Sequence, residues 1–319
     1  MFHISNCNTV IINISSGEVN KASHDSGYKA AHKRDKPLPE ILRALTMHKL
    51  HALRISEDLA GLYDSDNPVK AVRIRDCGTF LAMRKYSDIA STCELSSANF
   101  CKHPLCPMCA WRWSLKYGQI VEYALSFCTY PLSFLTLTIP NTPELSSASI
   151  YQLRRQAIDF TRLYFKQNYL GYIMAIEITA SIEQGFHPHI HAIIETSERQ
   201  SYTLEAISRL QREWGRMWGY DWLKATLYPI DDRAKAAREM SKYLVKASAP
   251  PTKEQLHIIA AATHGLRRLA FQGTLYSHRR AAKKALTGQN KAREDELSKY
   301  EWEMLFYKWL AGSYTQSRE

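Results

Sequence analysis

Apolar and polar positions change their spacing several times along this chain, and each change marks an element. Residues 133–139, SFLTLTI, are rich in β-branched and aromatic side chains and stop at Pro140 and Asn141, which predicts a strand. Residues 146–168 follow with helical spacing; Leu153, Ile158, Leu163 and Tyr164 are the buried candidates, and Arg154, Arg155 and Arg162 face solvent or phosphate. Strands are predicted over 172–179 and over 186–195, FHPHIHAIIE, joined by a turn at Gly185 and therefore paired as an antiparallel hairpin. A helix over 204–218 and a strand over 224–230 complete the order strand, helix, strand, strand, helix, strand. That order predicts an α+β fold of split β-α-β type, an antiparallel sheet with both helices packed on one face.

On either side of this unit the pattern is different. Residues 1–36 mix Asn, Ser, Gly, Lys and His with little to bury, and read as a disordered leader. Residues 39–59 are helical in spacing, Ile41, Leu42, Leu45, Leu50, Leu53 and Ile55 alternating with Arg43, Lys49 and Arg54. Residues 110–127 form another expected helix, carrying Trp111, Arg112, Trp113 and Lys116. Asp231 and Asp232 are suited to cap a helix over 233–247 that ends before Pro250 and Pro251. In the last segment, 301–310, Trp302, Leu305, Phe306 and Trp309 stand at helical spacing. The expected organisation is a leader (1–36), a helical and metal-binding region (37–128), the sheet domain (129–250) and a basic, mainly helical carboxy-terminal region (251–319).

The chemistry lies on the strand with alternating histidines. His189 and His191 are two residues apart, so their imidazoles share a strand face and can reach one ion. Glu177, between Ile176 and Ile178 on the neighbouring strand, would complete a site of two histidines and one carboxylate; His187 is a third ligand, a group behind the ligands or a DNA contact. On the helix over 233–247, Glu239, Tyr243 and Lys246 share a face. Alone, Tyr243 reads as a residue at the edge of the packing stripe. Beside a metal-capable strand it reads as a nucleophile, for which a phosphodiester polarised by a divalent ion is a suitable electrophile. Lys246 would lower the phenol pKa or neutralise the phosphate, and Glu239 would act as a general base.

Seven cysteines occur in the chain, and five of them fall between Cys77 and Cys109. Cys101, Cys106 and Cys109 have the spacing of part of a structural zinc site. Cys77, followed by Gly78, is the preferred fourth ligand, with Cys93 and His103 in reserve.

A formal charge of +11 and a pI near 9.2 point to a polyanionic partner, nucleic acid first. Arg267, Arg268, Arg279, Arg280, Lys283 and Lys284 form a basic stretch available to phosphates. No apolar run approaches the ~20 residues of a membrane helix, and the amino-terminal segment does not read as a secretory signal. The expectation is a cytoplasmic protein without a membrane partner.

Several segments resemble one known group. HPHIH is similar to the metal motif of the HUH endonucleases, FLTLTIPN to the strand motif that precedes it, and EMSKYLVK to their tyrosine motif. ANFCKHPLCPMCAWRWSLK and LRRLAFQGTL resemble, more closely, segments of the replication initiator (Rep) proteins of rolling-circle bacterial plasmids, and the matching order runs from about residue 70 to 275. The resemblance implies a single-tyrosine enzyme that binds single- or double-stranded DNA at a replication origin and nicks one strand. It stays attached through a 5′-phosphotyrosine, and it rejoins strands at termination. It implies His189, His191 and Glu177 around Mg2+ or Mn2+, Tyr243 as nucleophile, Glu239 in termination, and structural Zn2+ on Cys77, Cys101, Cys106 and Cys109. Host helicase and DNA polymerase are the implied partners, and a homo-oligomer is compatible with it. Two alternatives use the same segments: an HUH transposase or mobilisation relaxase, and a non-catalytic zinc-containing DNA-binding regulator.

Overall fold

The computed structural model describes residues 38–60, 68–87, 93–242, 252–267 and 269–317. In chain order the first elements are α1 (Leu38–Ala60), α2 (Pro68–Asp76), β1 (Phe80–Tyr86), β2 (Cys93–Ala98) and α3 (Pro107–Ser126). Next come β3 (Leu132–Thr138), α4 (Ser147–Phe165), β4 (Tyr169–Ser181), β5 (Gly185–Thr196), α5 (Leu204–Arg216) and β6 (Ala225–Pro229). The chain continues through α6 (Arg233–Lys242), α7 (Lys253–Ala262), β7 (Leu269–Gly273), α8 (Thr274–Leu297), β8 (Trp302–Leu310) and β9 (Ser313–Ser317). The expected leader lies outside the described residues. Among the described residues, no helix is long and apolar enough to cross a membrane. The chain divides into two compact units, one holding residues up to Lys116 together with Gln289–Glu319, the other Tyr117–Gly288.

In the Tyr117–Gly288 unit a five-stranded antiparallel sheet has the order β6-β3-β5-β4-β7. The predicted β4–β5 hairpin forms, and Gly185, at φ +72°, closes its turn against the carbonyl of Thr142, where a Cβ would come within 2.5 Å. Because side chains alternate along β5, Ile190, Ala192 and Ile194 face one core and Ile193 faces another. The first core takes Ile150, Leu153, Ala157 and Phe160 of α4 and Leu210 and Trp214 of α5, so both predicted helices do pack on one face. Ala262 of α7 joins them. The opposite face, which carries the histidines, is partly covered: Val121 and Leu125 of α3, Ala236, Ala237 and Met240 of α6, and Leu275 of α8 pack on it. The edge strand β7 was not foreseen, because five residues bounded by Gly273 carry little pattern of their own and are held by pairing with β4.

Local signals set the helix ends. Ser146 caps α4, accepting from the Ser149 amide at 3.1 Å, and Asp232 caps α6, accepting from the Lys235 amide at 2.8 Å. The end of the helix expected over 233–247 lies outside the described residues, which stop at Lys242.

The other unit holds a second antiparallel sheet, β2-β1-β8-β9. Here the sequence expectation is corrected: residues 301–310 are not helical, and β8 is an inner strand between β1 and β9. Its aromatic residues met a helical spacing by coincidence. Pairing with β1, far away in sequence, supplies the backbone partners, and Ala311 and Gly312, at φ +48° and +85°, make the tight turn into β9. A second correction concerns Lys49, read as one of the charges between the apolar positions of α1 but fully buried.

Candidate metal centres

The register of three strands assembles the first centre. Across the β4–β5 ladder Glu177 stands opposite His189 and Ala175 opposite His191; on the other flank of β5, Thr138 stands opposite His189 and Thr136 opposite His191. Residues 177, 189 and 191 therefore project from the same face at adjacent positions. Glu177 Oε2 lies 2.5 Å from His189 Nε2 and 3.0 Å from His191 Nε2, and all three side chains are largely shielded from solvent. The two rings meet edge to face with centroids 4.8 Å apart.

The outer ring atoms are also held. His189 Nδ1 donates to the His187 carbonyl at 3.2 Å, and His191 Nδ1 lies 3.2 Å from Thr136 Oγ1. With Nδ1 engaged, Nε2 of each ring is the atom turned to the carboxylate, the arrangement by which metal-binding imidazoles are oriented. Burial opposes ionisation of Glu177, but the hydrogen bonds of His189 and His191 outweigh it and hold the carboxyl well below the usual carboxylate range. A charged carboxylate facing two Nε2 atoms fits a divalent cation, which would take the place of the Nε2 protons. Thr136 was missed by sequence reading, although it lies in the FLTLTIPN segment; its position two strands from Glu177 is a matter of register alone.

His187 shares the histidine face but not the cluster. Its Nδ1 hydrogen-bonds the Asn141 side chain, whose amide donates to Gln184 Oε1 at 2.9 Å, and its pKa is lowered by burial, then by His189 and Lys224. Its backbone carbonyl is the part that orients His189.

Glu239, on α6, accepts from Lys242 Nζ at 2.8 Å, and its charge, after burial, helps to raise the Tyr228 phenol. Tyr243 and Lys246 lie outside the described residues.

Four sulfur atoms form a second centre. Cys77, Cys101, Cys106 and Cys109 are all buried and place their Sγ atoms within 4.8 Å of one another. Cys109 Sγ is 3.7 Å from both Cys77 Sγ and Cys101 Sγ. Thiolates about 2.3 Å from a tetrahedral zinc would stand about 3.8 Å apart, so the spacing fits. Backbone amides of Cys101, Lys102 and His103 point at Cys77, Cys109 and Cys101 sulfurs at 3.3, 3.2 and 3.4 Å, as expected where sulfur carries negative charge. Of the two cysteines weighed for the fourth position, Cys77 joins the cluster, while Cys93 stands across from Lys85 in the β1–β2 ladder. Lys49 donates to the carbonyls of Arg75 and, at 2.8 Å, Cys77, so a buried ammonium sits beside the sulfur cluster. Burial lowers its pKa and the neighbouring cysteines partly offset this.

The basic stretch separates into different settings. Arg280, Lys283 and Lys284 are exposed on α8 at positions that share one helical face, and Arg267 is exposed after α7. Arg279 instead lies over the Phe271 ring at 5.1 Å. Arg268 lies outside the described residues.

A family model described as "Replication protein" matches residues 92–315. Among curated proteins, a "Protein rep" of Streptococcus pneumoniae serotype 2 is 38% identical over 186 residues, covering 54% of this chain and 55% of that protein. A "Protein rep" of a Bacillus species is 32% identical over 190 residues, covering 56% and 59%. One of Lentilactobacillus hilgardii is 28% identical over 253 residues, covering 70% and 78%. The chain thus spans little more than half the length of the first two relatives. No solved structure matches it.

Proposed function

Because this chain belongs to the replication-protein family, we propose that it initiates rolling-circle replication of a plasmid, binding the origin, nicking one strand and rejoining strands at termination. The observation that carries the reading is the convergence of Glu177 with His189 and His191 on the sheet face that α6 also covers. Tyr243 follows directly on the last described residue of α6.

Mg2+ or Mn2+ held by His189, His191 and Glu177 would supply Lewis-acid polarisation of a phosphate oxygen. The chain's own groups do the rest. The Tyr243 phenol loses its proton and attacks phosphorus; the bond from phosphorus to the 3′-oxygen breaks as the bond to the tyrosine oxygen forms. The 5′ end remains on the protein and the departing 3′-oxygen takes up a proton, leaving a hydroxyl from which a polymerase can extend. Lys246 lowers the phenol pKa or neutralises the phosphate, and Glu239 later activates a water or second hydroxyl. His187 and Thr136 hold the imidazoles in position. Exposed Arg267, Arg280, Lys283 and Lys284 contact DNA phosphates. The four-cysteine cluster is structural, holding the neighbouring segments around Zn2+.

The test is incubation with single-stranded DNA carrying origin hairpins and Mn2+, followed by denaturing electrophoresis for a covalent adduct. Wild type forms it and Tyr243→Phe does not. Origin binding without any wild-type adduct would instead favour a non-catalytic DNA-binding regulator.

A further inference from the structure

On the same face of β5 as the histidines, but at the far end of the strand, a second mixed set of donor side chains comes together. Glu195 lies four residues beyond His191, about 13 Å along an extended strand. Around it stand Cys128, in the turn after α3, and His278, in the second turn of α8; one donor atom from each lies within 4.8 Å of the others. All three belong to the Tyr117–Gly288 unit.

The surroundings of Glu195 point to a missing partner. The residue is 1% exposed, and its buried Oε1 meets no N–H or O–H donor among the described residues. The Cys128 thiol, a weak donor that also lies 3.6 Å from the Ala124 carbonyl, is the group that engages the carboxylate. Its other oxygen accepts from the Thr274 hydroxyl at the start of α8. Gly171, directly opposite on β4, leaves that hydroxyl its space, since a Cβ there would come within 2.9 Å of Thr274 Oγ1. His278 stacks on Phe127, ring centroids 6.2 Å apart, which limits its rotation beside Cys128. A thiol is too weak a donor to satisfy a buried carboxylate oxygen, and a cation bound between them would do so.

The geometry points to a further metal site at Cys128, Glu195 and His278, selective for a zinc-like transition ion. One sulfur, one imidazole nitrogen and one carboxylate oxygen suit Zn2+ or Co2+ and do not suit Mg2+, which prefers oxygen donors. Three protein donors leave one position for water or an exogenous ligand. The ion would tie the first turns of α8, ahead of its exposed Arg280, Lys283 and Lys284, to the strand that bears His189 and His191. The site stands independently of the nicking reaction.

The test uses the full chain in a His189→Ala, His191→Ala background, so that the candidate catalytic centre adds no metal. Protein loaded with Zn2+ and desalted is assayed by elemental analysis, with and without Cys128→Ser or His278→Ala. Each variant should hold one zinc equivalent fewer than the background protein; equal content overturns the site. Should Cys128→Ser fold poorly, His278→Ala alone decides, read also by hydrogen exchange over residues 274–284. Added Zn2+ should slow exchange there in the background protein and not in the variant, and an identical response in both overturns the proposal.

Discussion

Glu177 and His189 face each other directly across the β4–β5 ladder, Oε2 to Nε2 at 2.5 Å, and the same oxygen also meets His191. The carboxylate therefore supplies the negative charge of the centre. Glu177→Gln keeps its size and removes the charge, so Mn2+ affinity measured by calorimetry should fall by about tenfold or more while far-ultraviolet circular dichroism stays unchanged. Unaltered Mn2+ binding would remove Glu177 from the ligand set.

Thr136 acts one step further out. Its hydroxyl is 3.2 Å from His191 Nδ1, and Thr136→Val preserves the branched shape while deleting the oxygen. A looser His191 ring should weaken Mn2+ binding about 10-fold, at the low end of what loss of such a partner costs. Thr138 stands opposite His189, whose two ring nitrogens are engaged by the His187 carbonyl and Glu177, and Thr138→Val should bind Mn2+ as wild type does.

Lys49 tests the sulfur cluster from behind. Lys49→Met fills the space but leaves the carbonyls of Arg75 and Cys77 without their charged donor, at a cost of about 2–4 kcal/mol. Denaturant unfolding should show that loss together with faster zinc release to a chelator. If Lys49→Met matches wild type in both, the buried ammonium does not support the cluster.

Acid should loosen the same unit. His48 stacks on Trp111 at 4.9 Å, and burial, then His51, lower its pKa from 6.5 to about 4. The unfolded chain therefore binds the proton more readily. The stabilisation is fully present above pH 6.5 and is lost as the pH falls toward 4, by at most about 3 kcal/mol. His48→Phe keeps a ring against Trp111 and does not titrate, so its stability should vary less than wild type across that window. Parallel pH profiles for the two proteins would contradict this.

Much of the sheet was legible because its signals are local. SFLTLTI and FHPHIHAIIE declare strands by composition, Gly185 marks the hairpin turn, and Asp232 and Ser146 are caps. Once the hairpin is known, Glu177 follows, since strand alternation leaves it on the histidine side when paired with His189. The carboxy-terminal hairpin was not legible in this way: Trp302, Leu305, Phe306 and Trp309 satisfy helical spacing, and their strand state depends on β1, more than two hundred residues earlier.

By itself, then, the sequence determined which chemical groups are available and which short segments are strands or helices, because backbone propensity and side-chain alternation act over a few residues. Tertiary structure alone decided which distant groups meet. It chose Cys77 over Cys93, buried Lys49 beside the sulfurs, set Thr136 against His191, and brought Cys128, Glu195 and His278 together. Each of those outcomes depends on register and packing between segments far apart in the chain, where a shift of one residue would turn every side chain of a strand to the opposite face.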